Sequence, residues 1–365
     1  MPAPFGISGV TQSLCRWAGP KGENGPAAEL KQTGGRRRDF QKMDKSGFAA
    51  AQENRRILLT NFVGFSLQNG GRYGKYRMYD MMGEEQTLFS LIRLHRPIKI
   101  IEPRRPMEFH VCGCRGSFPV FGDQYREFGG STTCYVLRDG DYAIIIDCGS
   151  GLYNARTILA GCKKIDILLT HLHYDHIQGL LCGGVFPKNA KIQFYSRFFS
   201  WFTEESLRRF MSPPYWPWMP DFGELHNIRA GKSVVLGNGY VADFQDSSHP
   251  GDAILIRLQG RGKCICMVWD YEHGMIDLTD WVYGCDLLCY DGMYLSRKDY
   301  EEHKGWGHST WEEGCRLAMA ADVKELWITH HNPECTDDVL RECEKKAQEL
   351  FPRVRFAREG DCMTN

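Results

Sequence analysis

No stretch of about 20 apolar residues occurs in the 365-residue chain, so a membrane-spanning helix is not expected. The first residues lack the basic and then apolar pattern of an export signal. The 15 cysteines are odd in number and lack the repeated spacing of a disulfide framework. These absences lead to the expectation of a cytoplasmic protein with reduced thiols and no membrane partner. Cys112-Gly-Cys114 and Cys264-Ile-Cys266 read as small hydrophobes alternating along strands rather than as metal sites. There is also no excess of charge of one sign, because 45 Lys and Arg balance 45 Asp and Glu. That balance conceals a division. Residues 1–106 hold 18 basic against 9 acidic side chains, which leaves 27 against 36 for residues 107–365. An acidic excess of that size speaks against a basic stripe for a long polyanion.

The division in charge is also one of texture. Up to about residue 47 the chain is rich in Pro, Gly, Gln and basic residues, including Arg36-Arg37-Arg38, a composition that favours disorder. Within 86–94 a short helix or strand is expected. Residues 1–106 therefore read as a basic, poorly ordered extension, with capture of nucleic acid or an acidic partner as the rival reading. Residues 107–365 read as the functional domain, with ample room for a core.

Within that domain, strands are expected at 108–112, 134–137, 142–147, 167–169, 192–195, 240–244, 253–258, 263–269, 286–290 and 325–329. The turns at Asp139-Gly140-Asp141 and Gly260-Arg261-Gly262 make two hairpins. Helices are expected at 152–159, from Thr203, at 311–321 under a Ser309 or Thr310 cap, and from Thr336 to about Leu350. Residues 211–220, with four prolines among three large aromatics, form an irregular apolar loop. That loop is read as a lid and substrate wall or as a packed cover, with an interface as a further use. Two strand-rich halves that each end in a helix suggest two sheets face to face with helices outside.

One window stands out chemically. Ile167-Leu168-Leu169 is a buried-strand pattern that runs into His171, His173, Asp175 and His176. With only 12 histidines in the chain, three here are hard to read as a merely polar loop. Residues two apart on an extended segment point the same way, so His171 and His173 can grip one ion while Asp175 and His176 face a second. Imidazoles with a carboxylate suit zinc, manganese or iron. Two ions need about three protein ligands each and a bridge, and His249, Asp270 and His330 each follow a strand where they could converge.

The pattern Thr-His171-Leu-His173-Tyr-Asp175-His176, with His249, Asp270 and His330, resembles the metallo-β-lactamase fold superfamily of binuclear hydrolases. Residues 116–119 (Gly-Ser-Phe-Pro), 129–133, 147–151, 307–310 (Gly-His-Ser-Thr) and 329–333 narrow the resemblance to the branch with ribonuclease Z and cyclic-phosphate and cyclic-nucleotide phosphodiesterases. This resemblance implies an αββα four-layer sandwich, an α+β arrangement of two mixed β-sheets with helices on the outer faces. It implies that His171, His173 and His249 hold one ion and that Asp175, His176 and His330 hold the other, with Asp270 bridging. His331 is the rival of His330, left to substrate or to a supporting role, and Asp147 would orient a ligand histidine. Two divalent ions are implied, zinc first and manganese second. Relatives in the branch pair, which leaves a homodimer open.

Two ions can share and acidify a hydroxide for attack on a phosphodiester. Asp175 belongs to that catalytic centre as a ligand, so the leaving alkoxide needs another proton donor, and His308 is the best placed. Ser309 reads as a cap before it reads as catalytic. Tyr215 and Trp218 could stack a base. The expected reaction is hydrolysis of a cyclic nucleotide or another small cyclic phosphate. The alternatives are an acyl, thioester or β-lactamase-like hydrolase on the same site, and a ribonuclease Z-like nuclease fed by the basic extension.

Overall fold

Runs of alternating apolar residues build two sheets whose inner faces meet, as the computed structural model shows for residues 106–182, 184–197, 211–217 and 223–365. The expectations for 1–105 and for the helix from Thr203 lie outside the described residues. The first sheet contains β1 (Glu108–Gly113), β2 (Cys134–Asp139), β3 (Tyr142–Ile146), β4 (Lys164–Leu168), β5 (Lys191–Ser196) and β6 (Glu224–Asn227). The second contains β7 (Ser233–Val235), β8 (Val241–Asp246), β9 (Ile254–Gly260), β10 (Lys263–Val268), β11 (Leu287–Asp291), β12 (Leu326–Thr329) and β13 (Val354–Phe356). A last strand, β14 (Cys362–Thr364), returns to pair with β1 and completes seven strands in each sheet. Both sheets are mixed. β1–β2–β3 run antiparallel and β3–β4–β5–β6 parallel, while β7–β8–β9–β10 run antiparallel and β10–β11–β12–β13 parallel.

Alternation assigns each residue its layer. On β10, Ile265 and Met267 face the other sheet, while Cys266 and Val268 face outward. The inner layer joins Phe109, Tyr135, Ile144 and Leu168 to Phe244, Ile256, Trp269 and Trp327. Tyr135 stacks on Trp269 at 4.9 Å and on Phe109 at 5.6 Å. Five α-helices occur among the described residues, in chain order: α1 (Tyr174–Ile177), α2 (Thr279–Val282), α3 (Arg297–Glu302), α4 (Trp311–Ala320) and α5 (Asp337–Leu350). The outer face of the second sheet packs under α4 and α5, and that of the first under a 3₁₀ segment, Ser150–Arg156. This is the αββα sandwich.

Three local expectations change. The α-helix expected at 152–159 is the 3₁₀ helix Ser150–Arg156, a connector between β3 and β4. Thr310, not Ser309, caps α4, its hydroxyl accepting from the N–H of Glu313. The short strands β6, β7, β13 and β14 and the helices α2 and α3 were not expected. Among the described residues no helix is long and apolar enough to cross a membrane.

All parallel strands of each sheet end on one side, and the polar residues that follow them are delivered there. Asp147 follows β3, His171 follows β4, Asp270 follows β10, Asp291 ends β11 and His330 follows β12. Loops outside the carboxyl ends of parallel strands are where a rigid sheet can gather distant side chains.

Candidate metal centre

Asp147, Asp270 and His330 leave their strands with φ of 57°, 50° and 56°, in the left-handed region that non-glycine residues seldom enter. Such strain persists only where surrounding contacts hold it, and it turns these side chains from the sheet into a common cleft. His171, His173 and His249 offer nitrogens within 4.8 Å of one another, and so do the ligand atoms of Asp175, His176 and His330. Asp270 lies between the two groups. One carboxylate oxygen is 4.0 Å from His171 Nε2 and 3.6 Å from His249 Nε2. Its other oxygen is 3.1 Å from His176 Nε2 and 3.3 Å from His330 Nε2. Asp175 Oδ2 is 3.2 Å from His176 Nε2 and 3.4 Å from His330 Nε2.

The four contacts of His176 and His330 with these carboxylates are within hydrogen-bond distance, yet His176 Nε2, His330 Nε2 and Asp270 Oδ2, like His171 Nε2, are buried and make no hydrogen bond of acceptable geometry. Orphaned buried polar atoms are rare, and four in one cleft aim at a shared point instead of at one another. The charge balance agrees. Burial pushes the His171 imidazole down, and it pushes His249 down to about 4, which leaves the neutral forms that ligate cations. Burial alone would raise Asp175 and Asp270, but the surrounding imidazoles hold both well below the usual carboxylate range. Against its own burial, His330 is drawn up to about 9 by Asp270 and its neighbours. Two buried carboxylates that recruit protons onto histidines are a site that demands positive charge, and divalent cations fit it.

The supporting contacts fix how each ligand is presented. His176 Nδ1 donates to Asp147 Oδ2 at 2.8 Å, and Asp147 also accepts from the N–H of Thr170 and from Trp269 Nε1. Asp147 thus orients a histidine, as a carboxylate behind a ligand does. His249 Nδ1 donates to the carbonyl of Gly307 at 3.0 Å, which turns its Nε2 inward. Asp175 accepts from the N–H of Ser117 at 2.7 Å. A Cβ on Gly116 would stand 2.4 Å from the His330 ring, so only glycine lets that loop cross the site.

His308 stands at the edge of this cluster. Its Nδ1 donates to Asp291 Oδ2 at 3.0 Å, and its ring stacks on His330 with centroids 5.2 Å apart. Asp291 also accepts from the N–H groups of Asp270, Met293 and Ser309. One buried carboxylate therefore links the Asp270 strand end to the loop that carries His308. Asp291 was not singled out from the sequence; its position at a strand end, like that of Asp147 and Asp270, was the available signal. Glu272 was missed as well. It is buried and accepts from the N–H groups of Gly305 and Gly307 and from Tyr300, which holds the 305–308 loop in place.

The other candidates fall elsewhere. Ser309 contacts Tyr290 and His273 through its hydroxyl and stands behind the cluster. His331 is a correction to the expected substrate or supporting role. It packs on Phe356 and Phe128 with its Nε2 on the carbonyl of Ala357. Tyr215 is exposed, and Trp218 lies outside the described residues.

Comparison with known proteins sets this geometry in a family. A family model described as the beta-lactamase superfamily domain matches residues 142–331. The probable metallo-hydrolase YhfI of Bacillus subtilis is 33% identical over 268 residues, which is 70% of this chain and 98% of that protein. Its crystal structure, described as a metallo-beta-lactamase fold protein, superposes with a TM-score of 0.55 at 20% identity over 71% of this chain and 99% of that one. Ribonuclease Z of Lachnospira eligens is 33% identical over 285 residues, 62% of this chain and 90% of that protein. The crystal structure of a diphosphatase from the PhnP family superposes with a TM-score of 0.52 at 17% identity, over 72% of this chain and 98% of that one, a likeness of fold alone.

Proposed function

We propose that this chain, a metallo-hydrolase that belongs to the beta-lactamase superfamily, hydrolyses a small phosphodiester, with a cyclic nucleotide as the foremost substrate. In this reading His171, His173 and His249 hold one divalent ion and Asp175, His176 and His330 a second, with Asp270 reaching both. Zinc is the first candidate for both ions and manganese the second. Such ions supply Lewis acidity, which acidifies water and neutralises charge building on phosphoryl oxygens. The chain itself supplies the proton. With His308 Nδ1–H committed to Asp291, the ring in its doubly protonated form carries on Nε2 the proton for the departing oxygen, and the carboxylate fixes the ring's orientation.

The observation that carries the reading is this His308–Asp291 pair beside a cation-demanding cluster. An alkoxide leaving a phosphodiester needs a donor there, whereas a thioester or β-lactam reaction has no strict use for one. The relatives named ribonuclease Z support a second reading, a nuclease, in which residues 1–106 would contribute basic charge. The acidic balance of residues 107–365 favours small substrates over it.

Leaving-group dependence tests the donor. His308→Ala should lower turnover of a cyclic nucleotide by about 10²–10⁴-fold. It should lower turnover of a 4-nitrophenyl phosphodiester far less, since nitrophenolate leaves without a proton, and bound metal should be unchanged. Equal losses on both substrates would remove His308 from the donor role and return the acyl and thioester readings to the front.

A further inference from the structure

Beside His308 the described surface opens into a cavity of about 250 Å³ lined by Phe118, Tyr294, His303, Trp306, Asn332 and Glu334 among others. Trp306 is 63% exposed and Phe118 54% exposed, unusual for large apolar rings unless something covers them. His303 stacks on Tyr294 at 5.3 Å and meets Trp306 edge-on at 4.9 Å, so the aromatic wall is continuous. Tyr294 in turn lies edge-on to His308 at 6.0 Å. The Tyr294 hydroxyl is buried and has no hydrogen-bond partner among the described residues. Among the described residues no Lys or Arg lines the cavity, and Glu334 adds a negative charge.

We infer that this cavity is the leaving-group pocket and that it takes one uncharged planar ring system, so that the alkoxide protonated by His308 belongs to a single nucleoside. The inference rests on the phosphodiesterase reading above for its direction. Three features select this occupant. The cavity adjoins the residue assigned to protonate the leaving oxygen, so whatever departs is held there. Its walls are aromatic faces, on which any base can stack. Its charge repels further phosphates, which excludes a polyphosphate or the continuing strand of a polynucleotide at that end. The volume is below the ~300–1,000 Å³ of drug-sized pockets and suits one ring-bearing group.

Calorimetric titration of the metal-loaded full chain with adenosine 5′-monophosphate and, separately, with inorganic phosphate tests the pocket without turnover. Trp306→Ala and Phe118→Ala should each weaken the nucleotide about tenfold, leave phosphate affinity unchanged and raise KM for cyclic AMP more than they lower kcat. Trp306→Phe should restore most of the nucleotide affinity. A nucleotide that binds no tighter than phosphate, or variants that weaken both ligands equally, would overturn the inference. Nucleotide binding of the expected pattern without hydrolysis of cyclic AMP would uphold the pocket and overturn the phosphodiesterase reading instead.

Discussion

Asp270 shows how much the site asks of single residues. Its carboxylate faces two histidine groups at once, its φ is 50°, and its own N–H is anchored by Asp291. Residues of this kind are legible by chemical type. The cluster His171, His173, Asp175, His176 announces a cation because nothing else makes that spacing useful. His249, Asp270 and His330 could be named because each follows a strand. Asp291, Glu272, Tyr294 and Trp306 were not assigned roles, since their value lies in which atoms they face and no spacing encodes that. A second residue-scale feature lies away from the cleft. On β10 the Cys264 thiol is brought down to about 6, first by Cys266 acting as donor to it and, against burial, by Arg257, whose Nε lies 3.3 Å from the sulfur. Other thiols, such as Cys148 and Cys289, are pushed up by burial. Among the cysteines of the described residues, Cys264 should therefore be the first alkylated by iodoacetamide, with a rate that rises through about pH 6 and levels above it. Arg257→Met should move that midpoint upward. Peptide mapping that finds Cys264 no more reactive at pH 6.5 than the buried thiols would contradict this.

At the scale of elements, the loop between α3 and α4 carries both His308 and Trp306, and it is held from two sides. Glu272 ties down its glycines, and Thr310 starts α4 by accepting from Glu313 N–H. A Cβ on Gly307 would come within 2.5 Å of His249 Nδ1, and φ there is 85°, so the loop passes the ligand only as glycine. Thr310→Ala should remove the cap and cost about 1 kcal/mol. Urea denaturation that gives the variant wild-type stability would show that the cap contributes nothing. The long elements could be read from the sequence because alternation and caps persist over enough residues to be seen. β6, β7, β13 and β14 span only three or four residues each and exist by pairing with neighbours, which no local pattern records. The 3₁₀ segment Ser150–Arg156 passed for an α-helix because its buried apolar residues, Leu152 and Ala155, are real and do not distinguish the two helix types.

The described residues form two sheets that bring side chains from Asp147 to His330 together at one end, and their shared core is also part of the site. Trp269 stacks on Tyr135 in the inner layer and donates to Asp147 behind His176, so packing and ligand orientation are one structure. The convergence of two strand-rich halves could be expected from their repetition, but the side of the sandwich that receives the ligands follows only from strand direction. Cations that bind the folded cleft and not the unfolded chain add stability, about 2.7 kcal/mol at a hundredfold excess over Kd. The proposed function stands or falls with a two-ion hydrolytic site built from His171, His173, Asp175, His176, His249, Asp270 and His330. Elemental analysis of the purified full chain, paired with hydrolysis of cyclic AMP before and after chelation, tests it most directly. The account predicts about two divalent ions per chain, hydrolysis that disappears on chelation and returns with metal, and loss of both ion and turnover in His173→Ala. Full hydrolysis by metal-free His173→Ala protein would contradict it.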